Sequence, residues 1–366
     1  MWRTIGESTG EGAPGVLYHR HASGRTDVSD SAGHGTDNGA TRAAGIEPAL
    51  AAWGLAGAAT ERLDGGAANE HWRVETDDRP RVLRRYHPRR ATESLPYEHD
   101  LLRFLADRKW PVPAPIATDD GNTVVETDEG RWALFPFMRG TPPEGSELVL
   151  QRKGSLLALL HEDLGAWESP GQRPTFGRVT DLDAAVAPEG FRSFEDFLAW
   201  YADEDPERAK VLAETRQRNA ADLDAHGYGD QPDSVIYYEC LGANVLFVED
   251  TVTGLLDFDM AHEDARVADI ARSLVIDCGS DNQKVRSWLA GYAAHASPRL
   301  TEDEAELIPP LMVASELWNT VAPLSMCAER PSEELLKSAQ TSIDHRLPLL
   351  EVVQPHLARV ASAAAG

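Results

Sequence analysis

Three side chains that carry oxygen atoms surround a predicted β-hairpin in the second half of the chain. Two apolar runs flank a short polar turn, a pattern typical of a hairpin, at residues 245–248, 249–251 and 252–256. Asn244 precedes the first run and Asp257 follows the second, so antiparallel pairing would bring them close together. Amide and carboxylate oxygens are hard ligands that suit Mg²⁺ shared with a nucleotide phosphate. Glu239, on the loop that enters the same end of the hairpin, could direct a second carboxylate at whatever the metal positions.

The residues around this hairpin resemble the catalytic segment of the aminoglycoside phosphotransferase and homoserine kinase type family, which has the protein-kinase-like fold. That family usually reads His-Gly-Asp-x-x-x-x-Asn and then Ile-Asp-Phe. This chain has Asn244 and Asp257-Phe258 at the matching positions, but it has Tyr237-Tyr238-Glu239 in place of His-Gly-Asp. The resemblance implies that Asn244 and Asp257 hold Mg²⁺, and that Glu239 orients the acceptor hydroxyl.

The change from Asp to Glu at position 239 leaves more than one function open. Glu is longer by a methylene group, which would move the carboxylate by about 1.5 Å unless the loop compensates. A misplacement of that size can cost on the order of a hundredfold in rate. Catalytic phosphoryl transfer, a nucleotide-binding pseudokinase or interaction module, and another reaction on the same scaffold, such as nucleotidyl transfer, are the alternatives.

A glycine-rich turn lies earlier in the chain, at residues 64–69. It contains Gly65, Gly66 and Asn69, where a backbone could approach a phosphate closely. A glycine pair in a hairpin is also an ordinary turn, so the phosphate role depends on the motifs that follow.

A predicted strand and a predicted helix follow that turn. Residues 81–86 form an apolar strand ending in cations, and residues 94–109 form a helix with Ser94 as its N-cap. Glu98 lies on the apolar face of this helix, where a carboxylate needs a cation unless it reaches solvent. Arg84 takes the position of the phosphate-binding Lys of kinase-like folds, and Glu98 that of its helix partner. The resemblance therefore implies that Arg84 contacts nucleotide phosphates.

Residues 134–140 resemble the hinge between the two lobes of a kinase-like fold. Pro136 has no N–H group but keeps the carbonyl that an adenine amino group would use, and Met138 retains both groups. The same residues would also suit an edge strand that closes on the following Gly-Thr-Pro-Pro turn.

Further candidate residues lie in the larger, second part of the chain. His161 ends a strongly apolar helix and is expected to be a structural hydrogen-bonding residue. Asp269 lies in a segment similar to the family's Tyr-Asp-Leu-Ala element, whose Asp braces the catalytic loop. Asp259 and Glu263 could attract a cationic acceptor, or could be solvated acids on an acidic surface. The two prolines at 309–310 are expected to break the C-terminal helices.

The composition limits the partners. A net charge of −25 and a pI near 4.8 argue against DNA, RNA or an anionic membrane surface, because these need clustered cations. Three cysteines without metal-ligand spacing indicate a reducing compartment. The sequence shows no apolar run near the roughly 20 residues that span a bilayer, and no signal-peptide pattern, so a cytoplasmic location is expected.

The resemblance implies an α+β protein with the bilobal protein-kinase-like fold: a small antiparallel β-sheet lobe and a larger, mainly helical lobe. Residues 1–45 would be a disordered lead-in, 46–138 the nucleotide-binding lobe and 139–360 the catalytic and substrate lobe. The implied function is ATP- and Mg²⁺-dependent phosphorylation of a hydroxyl group on a small molecule that is aminoglycoside-like, an amino alcohol or homoserine-like. The oligomeric state does not follow from the sequence.

Overall fold

The computed structural model describes residues 37–63, 69–143, 145–240 and 242–365, with side chains from residue 45 onward. Its first lobe is built on a five-stranded antiparallel sheet with the strand order β1-β2-β3-β5-β4. The strands are β1 (Thr60–Leu63), β2 (Glu70–Val74), β3 (Arg81–Arg85), β4 (Val125–Thr127) and β5 (Gly130–Pro136). Side chains alternate along β3, so Leu83 packs with Trp72 and Leu134 on one face while Arg84 lies on the other.

Helix α1 (Asp37–Ala52) covers the apolar face of this sheet. Residues 37–45, which the sequence assigned to a disordered lead-in, are the first residues of this helix. Ile46, Ala49 and Leu50 pack on the sheet at helical spacing. Residues 1–36 of the expected lead-in lie outside the described part of the chain.

Helix α2 (Leu95–Asp107) covers the opposite face and carries Glu98. Ser94 precedes it as expected, but its predicted capping bond is wrong. A 3-10 turn at Thr92–Ser94 leads into the helix, so the Ser94 backbone is already helical and its hydroxyl donates to the Ala91 carbonyl at 2.8 Å.

The second lobe is mainly helical. Its helices are α3 (Glu147–Leu164), α4 (Leu182–Val186), α5 (Phe194–Glu204), α6 (Pro206–Ala225), α7 (Arg266–Asp277), α8 (Asn282–Ala293), α9 (Glu302–Ser325), α10 (Glu333–Thr341) and α11 (Leu347–Ala365). Two short antiparallel pairs accompany them, β6 (Ser234–Ile236) with β9 (His262–Asp264) and β7 (Val245–Val248) with β8 (Thr251–Leu255). The described residues therefore have the small sheet lobe and the mainly helical lobe that the resemblance implied.

Helix α9 runs unbroken through Pro309 and Pro310, so the break predicted there is wrong. Both prolines are buried, and the Pro310 carbonyl accepts a hydrogen bond from Asn219 Nδ2 at 2.7 Å. Burial of α9 against α7 and α11 outweighs the ladder bonds that the prolines remove.

Helices α3 and α8 approach each other at two glycines, Gly154 and Gly291. A Cβ atom on Gly291 would clash with the carbonyl of Gln151, and one on Gly154 would clash with the carbonyl of Trp288. Both clashes are with backbone atoms, so the close packing of α3 and α8 depends on having glycine at these two positions.

The lobes are joined by backbone and by ion pairs. Thr141, just after β5, exchanges two backbone hydrogen bonds with Phe247 of β7, at 3.0 and 2.9 Å. Arg89, in the loop between β3 and α2, forms ion pairs with Glu189 and Glu329 of the second lobe. Among the helices of the described residues, none combines the length and the apolarity needed to cross a membrane.

Candidate active site between the lobes

The β7–β8 hairpin brings Asn244 and Asp257 together, as the sequence predicted. The strands pair from Val245–Leu255 to Val248–Thr251, and the Leu256 N–H donates to the Asn244 carbonyl at 2.8 Å. That bond extends the ladder past the strand ends and sets Asp257 beside Asn244. Asp257 has a left-handed backbone, with φ of 60°.

Glu239 lies against this pair. Its Oε2 accepts a hydrogen bond from Asn244 Nδ2 at 3.3 Å, and its Oε1 accepts one from Arg272 Nη2 at 3.1 Å. Burial raises the pKa of the Glu239 carboxyl, and the charge of Arg272 opposes that rise. The carboxylate that the resemblance assigns to the acceptor hydroxyl is thus fixed at both oxygens.

The donor set fits a divalent cation shared with a nucleotide. Burial raises the pKa of Asp257 well above its usual range, and the negative charges of Asp259 and Glu239 raise it further. A cation bound there would supply the missing positive charge. No three His, Cys, Asp or Glu side chains of the described residues form a metal-binding group, so water molecules and phosphate oxygens would complete the shell around Asn244 and Asp257.

Arg84 and Glu98 form the ion pair that the sequence predicted. Arg84 Nη1 lies 2.9 Å from Glu98 Oε1, and Glu98 is fully buried, so it does not reach solvent. Arg90 and Arg173 each place a nitrogen 3.6 Å from Glu98 Oε2. The carboxylate lies among three guanidinium groups, which satisfies the requirement that a buried charge be paired.

Asp259 bridges the two lobes. Its Oδ1 lies 2.9 Å from Arg84 Nη1, and its Oδ2 accepts a hydrogen bond from Asn69 Nδ2. Asn69 Oδ1 also accepts from the His87 N–H at 3.1 Å, so this side chain connects the first-lobe loops to Asp259.

Glu263 is buried and fully bonded, which corrects the prediction that it attracts a cationic acceptor. Its Oε1 accepts from the hydroxyls of Tyr97, at 2.9 Å, and Ser169, and its Oε2 accepts from the Arg173 N–H at 2.9 Å. All three residues of β9 are buried, and Glu263 bonds Ser169 and Arg173 of the loop before α4. Asp259 is likewise paired within the protein, with Arg84 and Asn69.

Asp269 braces the loop that carries Glu239, as the resemblance implied. Its two oxygens accept from the backbone N–H groups of Tyr237, at 2.8 Å, and Tyr238, at 3.0 Å. His161 contacts Asp269 at 3.1 Å and the Tyr292 hydroxyl at 2.8 Å, so it is a buried structural hydrogen-bonding residue.

The two tyrosines that replace His and Gly both pack inward. The Tyr237 hydroxyl donates to the Leu256 carbonyl, and its ring stacks on Phe258 with centroids 4.3 Å apart. Tyr238 has a φ of 65°, a conformation that favours the Gly of the family motif. Burial of its ring offsets the backbone cost, of about 1–3 kcal/mol.

The other predicted nucleotide residues lie at the end of β5, in the segment that follows it, or outside the described residues. Pro136 ends β5 opposite Arg81, and Met138 follows it in the segment that leads to Thr141. Gly65 and Gly66 lie outside the described residues.

Two arginines near the site were missed by sequence reasoning. Arg173, in the loop before α4, donates to the carbonyls of Asp259, at 3.0 Å, and Ala261, at 2.7 Å. No pattern in the sequence of that loop indicates that Arg173 lies near the site. Arg272 follows Asp269 by one turn of α7, a spacing that places both side chains on one face.

The fold and this site define a phosphotransferase of the protein-kinase-like class. The model of the family described as "Phosphotransferase enzyme family" matches residues 59–307, and the chain belongs to that family. A homoserine kinase of Rhodospirillum rubrum is 30% identical over 214 residues, which cover 58% of this chain and 62% of that protein. A homoserine kinase of Phenylobacterium zucineum is 28% identical over 308 residues, covering 82% of this chain and 90% of that protein.

A solved structure has the same fold. It is an amicoumacin kinase in complex with AMP-PNP, Ca²⁺ and Ami, with a TM-score of 0.62 and 11% identity. The match covers 88% of this chain and 94% of the kinase. The likeness confirms the bilobal architecture. The family match and the homoserine kinase relatives indicate that the chain is a small-molecule kinase.

Proposed function

We propose that the chain uses ATP and Mg²⁺ to phosphorylate a hydroxyl group of a small amino-bearing acceptor. The observation that carries this proposal is the convergence of Asn244, Asp257 and Glu239 at one end of the β7–β8 hairpin. The homoserine kinase relatives and the AMP-PNP complex of the amicoumacin kinase support it. The free, buried cysteines accord with a reaction in the cytoplasm.

The side chains divide the work of phosphoryl transfer. Asn244 and Asp257 would hold Mg²⁺, which when bound neutralises charge on the transferred group. Arg84, steadied by Glu98, binds the α and β phosphates. Glu239 accepts a hydrogen bond from the acceptor hydroxyl and takes its proton as the oxygen attacks in line.

The remaining nucleotide contacts come from the first lobe. The Pro136 carbonyl and the Met138 backbone would bind the adenine, and Gly65 and Gly66 would line the phosphates. Asn69, which follows these glycines in the sequence, donates to Asp259. These roles follow the resemblance and are tested by the nucleotide affinity of substituted chains.

The test is phosphoryl transfer by the full chain. ATP and Mg²⁺ are supplied with homoserine, ethanolamine, aminopropanol and an aminoglycoside, and phosphorylated product is detected by mass spectrometry. We expect one acceptor to be turned over, and Glu239→Ala and Asp257→Ala each to lower kcat by at least about a hundredfold. Asp250→Ala, on the exposed turn between β7 and β8, is the control that keeps full activity.

The second candidate is a nucleotide-binding pseudokinase. The observation that favours it is that both oxygens of Glu239 already have partners, Arg272 and Asn244. If ATP raises the melting temperature while no acceptor yields product, this candidate replaces the first. A large gain in turnover by Glu239→Asp would show that the natural Glu impairs catalysis.

A further inference from the structure

Arg272 is placed to act on Glu239. It lies on α7, its side chain is 7% exposed, and its Nη2 is 3.1 Å from Glu239 Oε1. The guanidinium lies 5.0 Å from the ring centroid of Tyr238 and 5.8 Å from that of Trp318. Two aromatic rings and one carboxylate therefore restrict its position.

The geometry holds the carboxylate at two separate points. Arg272 bonds one oxygen of Glu239, and Asn244 bonds the other at 3.3 Å. A Glu side chain has an extra torsion compared with Asp, so its carboxylate needs such restraints to stay in one place. Asn244 also belongs to the proposed metal site, which links the carboxylate to the position of the metal.

Tyr238 provides the surface on which Arg272 packs. Its left-handed backbone, with φ of 65°, turns the ring into the core, where it meets the guanidinium. Asp269 holds that backbone through the Tyr238 N–H at 3.0 Å. Arg272 is thus a neighbour of both Tyr238 and Glu239, two residues that depart from the family motif.

We propose that Arg272 is a positioning residue that fixes the Glu239 carboxylate for the acceptor hydroxyl, with Tyr238 as its packing surface. This inference rests on the proposed function. It explains how the chain uses Glu where the family motif has Asp. Arg272 bonds one oxygen of the longer side chain, and Asn244 bonds the other.

The principal test compares Arg272→Met and Arg272→Lys in the full chain. Met keeps the length and bulk but removes the charge, so we expect kcat to fall about a hundredfold with KM for ATP unchanged within about twofold. Lys restores the charge without the planar fork, so we expect the kcat of Arg272→Lys to be about tenfold higher than that of Arg272→Met. Arg266→Met, which removes an Arg–Glu304 pair from the same helix away from the site, is the control with unchanged kcat.

Combination with Glu239→Asp separates positioning from a structural role. In the natural background, Glu239→Asp withdraws the carboxylate from Arg272, and we expect kcat to fall about tenfold. In the Arg272→Met background the same change should cost less than about threefold, because the bond is already gone. Additive losses would overturn the inference.

Other results would also overturn it. They are an Arg272→Met chain with kcat within about threefold of the natural one, or a loss of kcat that matches the loss of folded protein. If Arg272→Met does not fold, Arg272→Lys decides alone, and natural kcat in that variant contradicts the proposal. A natural chain that binds ATP but phosphorylates nothing overturns the proposed function together with this inference, whereas a natural chain that turns over with insensitive Arg272 variants overturns the inference alone.

Discussion

The carboxylate of Asp259 lies 2.9 Å from the guanidinium of Arg84. Asp259 follows the proposed metal ligand by two residues, and Arg84 is the cation proposed for the nucleotide phosphates. In this arrangement Arg84 is already paired with a protein carboxylate, so under the proposed function a nucleotide would share Arg84 with Asp259 or displace it.

Asp259→Asn should therefore strengthen nucleotide binding when no divalent cation is present. Loss of the competing charge frees Arg84, and we expect the Kd for ADP in EDTA to fall about tenfold, or about 1.4 kcal/mol. Isothermal titration calorimetry measures this. Asp250→Asn, which alters the exposed partner of Arg152, should leave the Kd unchanged. Weaker binding by Asp259→Asn would show that Asp259 supports the nucleotide site.

Tyr237→Phe should weaken the link between the catalytic loop and the Asp257 segment. It removes the hydroxyl that donates to the Leu256 carbonyl but keeps the ring stacked on Phe258. We expect the free energy of unfolding to fall by about 1–2 kcal/mol and kcat to fall about tenfold. Urea unfolding and steady-state kinetics test this, with Tyr201→Phe on α5 as the control. A change in stability without a change in kcat would limit Tyr237 to a structural role.

Gly291→Ala should destabilise the second lobe although alanine favours helices. The new Cβ would meet the Gln151 backbone of α3, so α3 and α8 must separate, and we expect a loss of about 3 kcal/mol in urea unfolding. Gly229→Ala has open space around the added Cβ and should change stability by less than about 1 kcal/mol. Equal stability of the two variants would contradict the close approach of the helices.

Stability should decline as the pH falls below about 6.5, in part through His99. Burial, and then the charge of Arg84, lowers the pKa of His99 to about 3, while the unfolded chain keeps the ordinary value. The unfolded state then binds more protons. The contribution of His99 to stability is therefore fully present above pH 6.5 and is lost as the pH falls toward 3. At pH 5 the loss from one such histidine is about 2 kcal/mol.

The measurement is urea unfolding at pH 7 and pH 5. His99→Gln should lower the pH dependence by about 2 kcal/mol, whatever its effect on absolute stability. His71, whose pKa burial also lowers to about 3, and His262, whose pKa burial also lowers, keep contributions of the same sign. His356→Gln, on the exposed side of α11, is the control. An unchanged dependence in His99→Gln would mean that this histidine is not held neutral.

Local pattern was enough to predict part of the site. Asn244 and Asp257 flank a hairpin that the sequence shows as two apolar runs around a polar turn, so their proximity follows from strand pairing. Helical spacing turns the Glu98 carboxylate toward a core, where it needs a cation, and the family resemblance implied that Arg84 is that cation.

Contacts between distant segments could not be predicted in this way. Glu239 meets Arg272, and Glu263 meets Tyr97 and Arg173, only after helices and loops far apart in sequence have packed. The predicted break in helix α9 was wrong for a similar reason. Burial of the helix on several sides allows two prolines that local helix propensity disfavours.

Arg89 reaches from the first lobe to Glu189 and Glu329 of the second. Any widening of the cleft has to separate these pairs. All three side chains remain partly accessible to water, so dissolved ions screen the attraction between them. We therefore expect separation of the two lobes to become easier as the ionic strength of the solution rises.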